Sequence, residues 1–169
     1  MWWRLKRSEF LQQKGEVNKQ AFKNVVDSGE IPGILVYAND EPIGWCSVAP
    51  RESFPALERS RILKRVDSKP VWSVVCFFVA KPFRRRGVTV ELLKAAIEHV
   101  RSHGGEIVEG YPIGPRHDKT PDVFVYTGLE SAFCKAGFIE VARRSQTRPI
   151  MRYMIKNGLH KIGTTDDKR

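Results

Sequence analysis

Hydrophobic and polar positions along the chain alternate between helical and extended periods. From Ser8 to Ser28, Phe10, Leu11, Val17, Ala21, Phe22, Val25 and Val26 recur at helical spacing against a polar opposite face. The pattern predicts one helix, capped by Ser8 and stopped at Gly29. Two strands follow, Ile34 to Ala38 and Ile43 to Val48, joined by a hairpin turn at Asn39-Asp40-Glu41-Pro42. Phe54 to Arg65 is polar, with room for a short helix. Val71 to Val79 is apolar on both alternating faces apart from Ser73, as expected of a strand in mid-sheet with cover on each side.

The strongest helical pattern runs from Val88 to Ser102, through Leu92, Leu93, Ala96, Ile97 and Val100, and ends at Gly104-Gly105. Glu106 to Ile113 reads as a strand, and Pro112 to Asp122 as a loop. Thr127-Gly128-Leu129-Glu130 fits a capping box opening a short helix that stops at Gly137. Phe138 to Ala142 and Ile150 to Ile155 close the series as strands. The sum is a single α/β domain over residues 1–155, with a mixed central sheet flanked by helices on both faces, and a polar tail over 156–169.

Composition changes this picture little. With 169 residues, 41 % hydrophobic and 28 % charged, the chain is long enough to bury one core and has the balance of a soluble globular domain. No apolar run is long enough to span a bilayer and no signal peptide is visible, so no membrane partner and a cytoplasmic address are expected. Cys46, Cys76 and Cys134 are too far apart for a zinc site and read as free thiols, so no metal is expected. The net charge of +10 favours anionic ligands. Its arginines are scattered, and helix-turn-helix, zinc and RNA-sheet signatures are lacking, so no nucleic-acid partner is expected.

One basic cluster stands apart. Val79-Ala80-Lys81-Pro82-Phe83-Arg84-Arg85-Arg86-Gly87-Val88-Thr89 reads as strand end, basic turn and helix start. A helix N-terminus presents unpaired N–H groups and positive dipole charge, a ready phosphate site. Gly87 lets a ligand approach the backbone.

Val79, Arg84, Gly87 and Thr89 at these spacings resemble the acyl-coenzyme A signature of the GNAT acyltransferase superfamily. Phe133-Cys134-Lys135-Ala136-Gly137-Phe138 resembles the end of that family's last helix, and the order of elements over residues 8 to 155 agrees. The resemblance implies an N-acetyltransferase that moves an acetyl group from acetyl-CoA to a primary amine, or a sensor of the same fold that binds acyl-CoA without transfer. It implies a pyrophosphate held by backbone N–H groups of Arg85 to Thr89, Val88 included, with side chains of Arg84, Arg85 and Arg86 near it. It also implies a pantetheine alongside Val79 and a thioester near Phe78 and Val79. The expected partners are acetyl-CoA and an amine acceptor, with a second copy of the chain, as a homodimer, a further candidate.

Two departures are visible. Thr89 stands where the family has Gly or Ala, and Phe133 stands where many members carry the tyrosine credited with protonating the leaving thiolate. Phe133 therefore belongs to the cofactor side without an acid's chemistry. Glu109, between Ile107 and Tyr111 on an apolar strand face, is the candidate base, since a partly desolvated carboxylate is a useful proton acceptor. Its competing role is an ion pair with one of the arginines. Cys76, Tyr111, Tyr126 and the pair His117-Asp118 are weaker candidates, and Trp45 with Arg51 could line the acceptor side.

Overall fold

The computed structural model describes residues 1–115 and 125–155. His117-Asp118 and the tail from Lys156 lie outside the described residues. The helices are α1 (Arg7–Gln12), α2 (Glu16–Asp27), α3 (Pro55–Glu58), α4 (Val88–Ser102) and α5 (Glu130–Lys135). The strands are β1 (Gly33–Ala38), β2 (Glu41–Pro50), β3 (Trp72–Val79), β4 (Ile107–Gly110), β5 (Ile139–Arg143) and β6 (Pro149–Met154). They form one six-stranded mixed sheet in the order β1-β2-β3-β4-β6-β5, parallel only between β3 and β4. The expected single α/β domain with a mixed sheet is therefore found. Among the described residues no helix is long and apolar enough to cross a membrane.

The predicted helix Ser8 to Ser28 is two helices. The chain breaks after Gln12, and Gly15, at φ 93°, takes a left-handed conformation open to glycine at little cost. Ser8 is not the cap. The N-cap is Lys6, whose backbone N–H donates to the Glu9 carboxylate at 3.0 Å. The capping box at Thr127 is also absent. Helix α5 begins two residues later behind Leu129, and the Thr127 hydroxyl accepts instead from Arg148 Nη1 at 2.8 Å. The strand predicted over Glu106 to Ile113 is confined to β4, Ile107–Gly110, because only there does it find a neighbour on each side.

Two apolar layers enclose the sheet. On one face α4, through Leu92, Leu93, Ala96, Ile97 and Val100, and Phe133 of α5 cover Cys46, Val48, Val74, Phe77, Val108 and Met151. On the other face Phe54, Leu57 and Leu63 cover Ala49, Val75, Tyr111 and Ile150. A bulge in β3 sets the site. Ser47 pairs with Cys76 and Val48 with Val74, leaving Val75 unmatched. The extra residue sends Val75 and Cys76 to the face opposite α4, and the local bend re-aims the strand end.

Candidate active site

Strand β4 ends at Gly110, level with Val74, so Val75 to Val79 run past their parallel neighbour. There the loop carbonyl of Tyr126 accepts from the Phe77 N–H at 2.6 Å. Beyond Val79 a turn of 3-10 helix (Lys81–Phe83) leads into α4. Arg85 (φ 62°) and Gly87 (φ 84°) are both left-handed, a backbone form that gathers neighbouring N–H groups into an anion-binding concavity. Arg85 is the costly one, since L residues pay roughly 1–2 kcal/mol there, and such strain collects where ligands bind.

Within α4 the Val90 and Glu91 N–H groups turn back to the Gly87 carbonyl at 2.8 and 3.3 Å. Those of Arg85, Arg86, Gly87, Val88 and Thr89 donate to no carbonyl among the described residues. The space over Gly87 is open, with no atom within 4 Å of where a Cβ would stand. The cradle fits a diphosphate. Its three arginines differ. The Arg84 Nε donates to the Val79 carbonyl at 3.0 Å, tying the turn to the strand. The Arg86 guanidinium lies 5.9 Å over the Phe83 ring, and Arg85 and Arg86 are exposed.

On the opposite face of β3 lies a cavity of about 350 Å³. Its walls come from Trp2, Trp3, Arg4 and Phe10, from Phe22 of α2, from Trp45 and Ser47 of β2, and from Phe54; Val75, Cys76 and Tyr126 lie at the β3 side. Trp45 is part of this wall, on the β2 side. Phe78 faces out beside it, paired with Trp45 across the sheet and 58 % exposed. The cradle and the cavity thus meet the same strand, from its end and from its far face. Sequence periodicity does not show the cavity, because residues from the N-terminal segment to the loop at Tyr126 build it.

Other candidates lie elsewhere. Glu109 is fully buried. Its Oε1 accepts from Arg51 Nη1 at 2.9 Å and from the Tyr111 hydroxyl at 2.6 Å, and its Oε2 accepts from Arg152 Nε at 2.7 Å. A carboxylate facing two guanidinium groups, with no face open to solvent, is a centre of ion pairing and out of a substrate's reach. Arg51 belongs to the same cluster and also donates to Glu58 and to the Leu63 carbonyl, both at 2.8 Å, so it does not line the acceptor side. Burial pushes the Tyr111 phenol well above the usual tyrosine range, so it stays a donor to Glu109. Phe133 is fully buried, edge-on to Phe77 at 6.0 Å and to Phe138 at 5.0 Å, over Gly110, where a Cβ would collide with its ring. It presents no surface to a ligand.

Cys46 is buried and its thiol is pushed up to about 12 by burial, so it is inert. Burial also raises the Cys76 thiol, which weakens it as a nucleophile. Tyr126 is the one phenol at the cavity, and burial raises its pKa, keeping it protonated through neutral pH.

The same architecture occurs in solved structures. A GNAT-family acetyltransferase from Streptococcus pneumoniae superposes with TM-score 0.52 at 12 % identity, covering 85 % of this chain and 78 % of its own. A ribosomal-protein-alanine N-acetyltransferase from Brucella melitensis gives 0.52 at 15 %, covering 83 % and 78 %. A Salmonella typhimurium protein solved with its cofactor acetyl-CoA gives 0.53 at 12 %, covering 84 % and 75 %. At such identities the likeness is one of fold. No curated protein matches the chain. Residues 1–110, which include the splayed β3 and the whole N–H cradle, match the sequence profile of the Acetyltransferase (GNAT) family, and the chain belongs to that family.

Proposed function

We propose that the protein is an N-acetyltransferase that takes an acetyl group from acetyl-CoA and places it on a primary amine. The observation that carries this reading is the run of N–H groups from Arg85 to Thr89, without an acceptor among the described residues, at the end of a strand whose other face opens into a cavity. Those N–H groups, with Arg85 and Arg86 beside them, would hold the pyrophosphate, and Thr89 adds a hydroxyl to the first turn. The strand end at Phe78 and Val79 would run beside the pantetheine. Acetyl-CoA supplies an activated acetyl thioester, and its intracellular origin makes the cytoplasm the working compartment. In the overall reaction an N–C bond forms, the C–S bond breaks, the amine loses a proton and the sulfur gains one.

Phe133 has no proton to give, and Tyr126 is the phenol that remains at the site. It would serve as the acid toward the leaving sulfur. Tyr126→Phe is expected to lower kcat by about 10²-fold, the low end for general acid catalysis, while leaving the Kd for acetyl-CoA unchanged. Because burial raises the phenol's pKa, the native enzyme should hold its activity to a pH above the ordinary tyrosine range, and the variant should lose that alkaline limb. Steady-state kinetics between pH 6 and 11 checks both; equal kcat in the two proteins excludes Tyr126 as the acid.

A second reading, an acyl-CoA sensor, draws on the lack of any carboxylate among the described residues that line the cavity. Calorimetry with acetyl-CoA and thiol release with a panel of amines separate the two. Micromolar binding with release supports the enzyme. Binding with no release from any amine supports the sensor. No binding removes both.

A further inference from the structure

The cavity beside β3 bears on which amine is acetylated. Its wall is largely aromatic, and the rings are locked edge to face. Phe22 meets Trp45 at 6.0 Å and 90°, and Trp2 meets Phe10 at 5.3 Å and 85°. The apolar surface continues outward across the sheet. Leu35, Trp45 and Phe78 pair in one cross-strand row, with Leu35 51 % exposed.

The polar side chains of the described wall are few: Trp2, Trp3, Arg4, Ser47, Cys76 and Tyr126. The Trp3 Nε1–H is buried and has no acceptor among the described residues. The charged side chain at the wall, Arg4, lies 2.7 Å from Glu30. Among the described residues no Asp or Glu lines the cavity. A second ammonium on the ligand would therefore lose its water with no free carboxylate at the described wall to replace it, since Glu30 is engaged by Arg4. The volume, about 350 Å³, falls at the small end of ligand pockets and suits one or two rings rather than a chain of residues.

On the acetyltransfer reading above, we infer that the acceptor is a small primary amine with an aromatic body and no second positive charge, seated in this cavity. Its ring packs among Trp45, Phe22 and Phe10, and its amine points to the β3 end, where the thioester would lie. The neutral amine attacks the thioester carbonyl, the sulfur leaves and is protonated, and no oxidant or reductant is involved.

Cys76, which lines the cavity, offers a readout independent of turnover. In a Cys134→Ser background the remaining thiols are Cys76 and the buried Cys46. Phenethylamine is expected to slow alkylation of Cys76 by iodoacetamide at least fivefold and to quench indole fluorescence, while spermidine at the same concentration does neither. With acetyl-CoA, kcat/KM for phenethylamine should exceed that for spermidine and for a peptide N-terminus at least tenfold. Trp45→Ala and, separately, Phe22→Ala should raise KM for phenethylamine about tenfold with the acetyl-CoA Kd unchanged; the α2 substitution keeps the test open if the sheet substitution fails to fold. Preference for spermidine or the peptide, or absence of Cys76 protection, overturns the inference while leaving the donor reading intact. Failure to bind acetyl-CoA would instead overturn the donor reading.

Discussion

Glu109→Ala is expected to lower the unfolding free energy by about 3–5 kcal/mol, the usual loss when one partner of a buried ion pair is removed. Glu109 and Arg51 are both fully buried, and Arg152 is nearly so. The carboxylate sits between the two guanidinium groups, so its removal leaves each cation held only by its outer carboxylate, Glu58 for Arg51 and Asp67 for Arg152, and opens a polar hole between them. The cluster also ties distant segments together. Arg51, just past β2, reaches Glu58 and the Leu63 carbonyl. Arg152 of β6 reaches Asp67 at 2.7 and 3.2 Å. Tyr111, after β4, shares its hydroxyl with Ser73 of β3 at 2.8 Å. Total domain stability is about 5–15 kcal/mol, so the variant should melt on the order of 10 °C lower. Glu109→Gln keeps the shape and one acceptor oxygen, and its loss should be smaller but still measurable. Urea unfolding of both variants, with kcat measured on the folded fraction, separates structure from catalysis. A Glu109→Gln protein of native stability whose kcat collapses with a shifted pH profile would restore the base role and remove the structural one.

The arginine turn was legible in the sequence because its chemistry is local. A strand end, a left-handed glycine and a helix start lie within eleven consecutive residues, and the unpaired N–H groups follow from that order alone. Strand and helix order were legible for the same reason: each element carries its own period. Glu109 shows where this stops. Its flanking residues identify an apolar strand face, but Arg51 and Arg152 reach it from 58 and 43 residues away, and no periodicity reports such convergence. Phe133 was placed by its distance from a Gly-Phe pair, yet its ring turns into the core because Gly110 leaves a hollow there that no other residue type would leave. The aromatic cavity is less legible, since Trp45 and Tyr126 lie 81 residues apart in the sequence and only the fold brings them, with Trp2, to one wall.

Gly87→Glu is expected to weaken acetyl-CoA binding about a hundredfold with only a modest loss of stability. Gly87 is the N-cap of α4, with φ 84°. Any L side chain there costs roughly 1–2 kcal/mol of backbone strain, which lowers melting by a few degrees. Space is not the obstacle, since a Cβ at this position meets no atom within 4 Å. The obstacle is charge and occupancy. A carboxylate at the N-cap would accept from the first-turn N–H groups, take the favourable end of the helix dipole, and repel a diphosphate from the same place. Charge-assisted hydrogen bonds contribute about 1.5–3 kcal/mol each, so losing one or two of them corresponds to roughly the hundredfold change. Gly87→Ala isolates the strain, because it adds no charge and should weaken binding less than tenfold. Calorimetric titration of the three proteins with acetyl-CoA, beside thermal melts, measures both quantities. Native affinity in Gly87→Glu would mean that the diphosphate is not held at this cradle, since no anion can share five N–H groups with a carboxylate built among them.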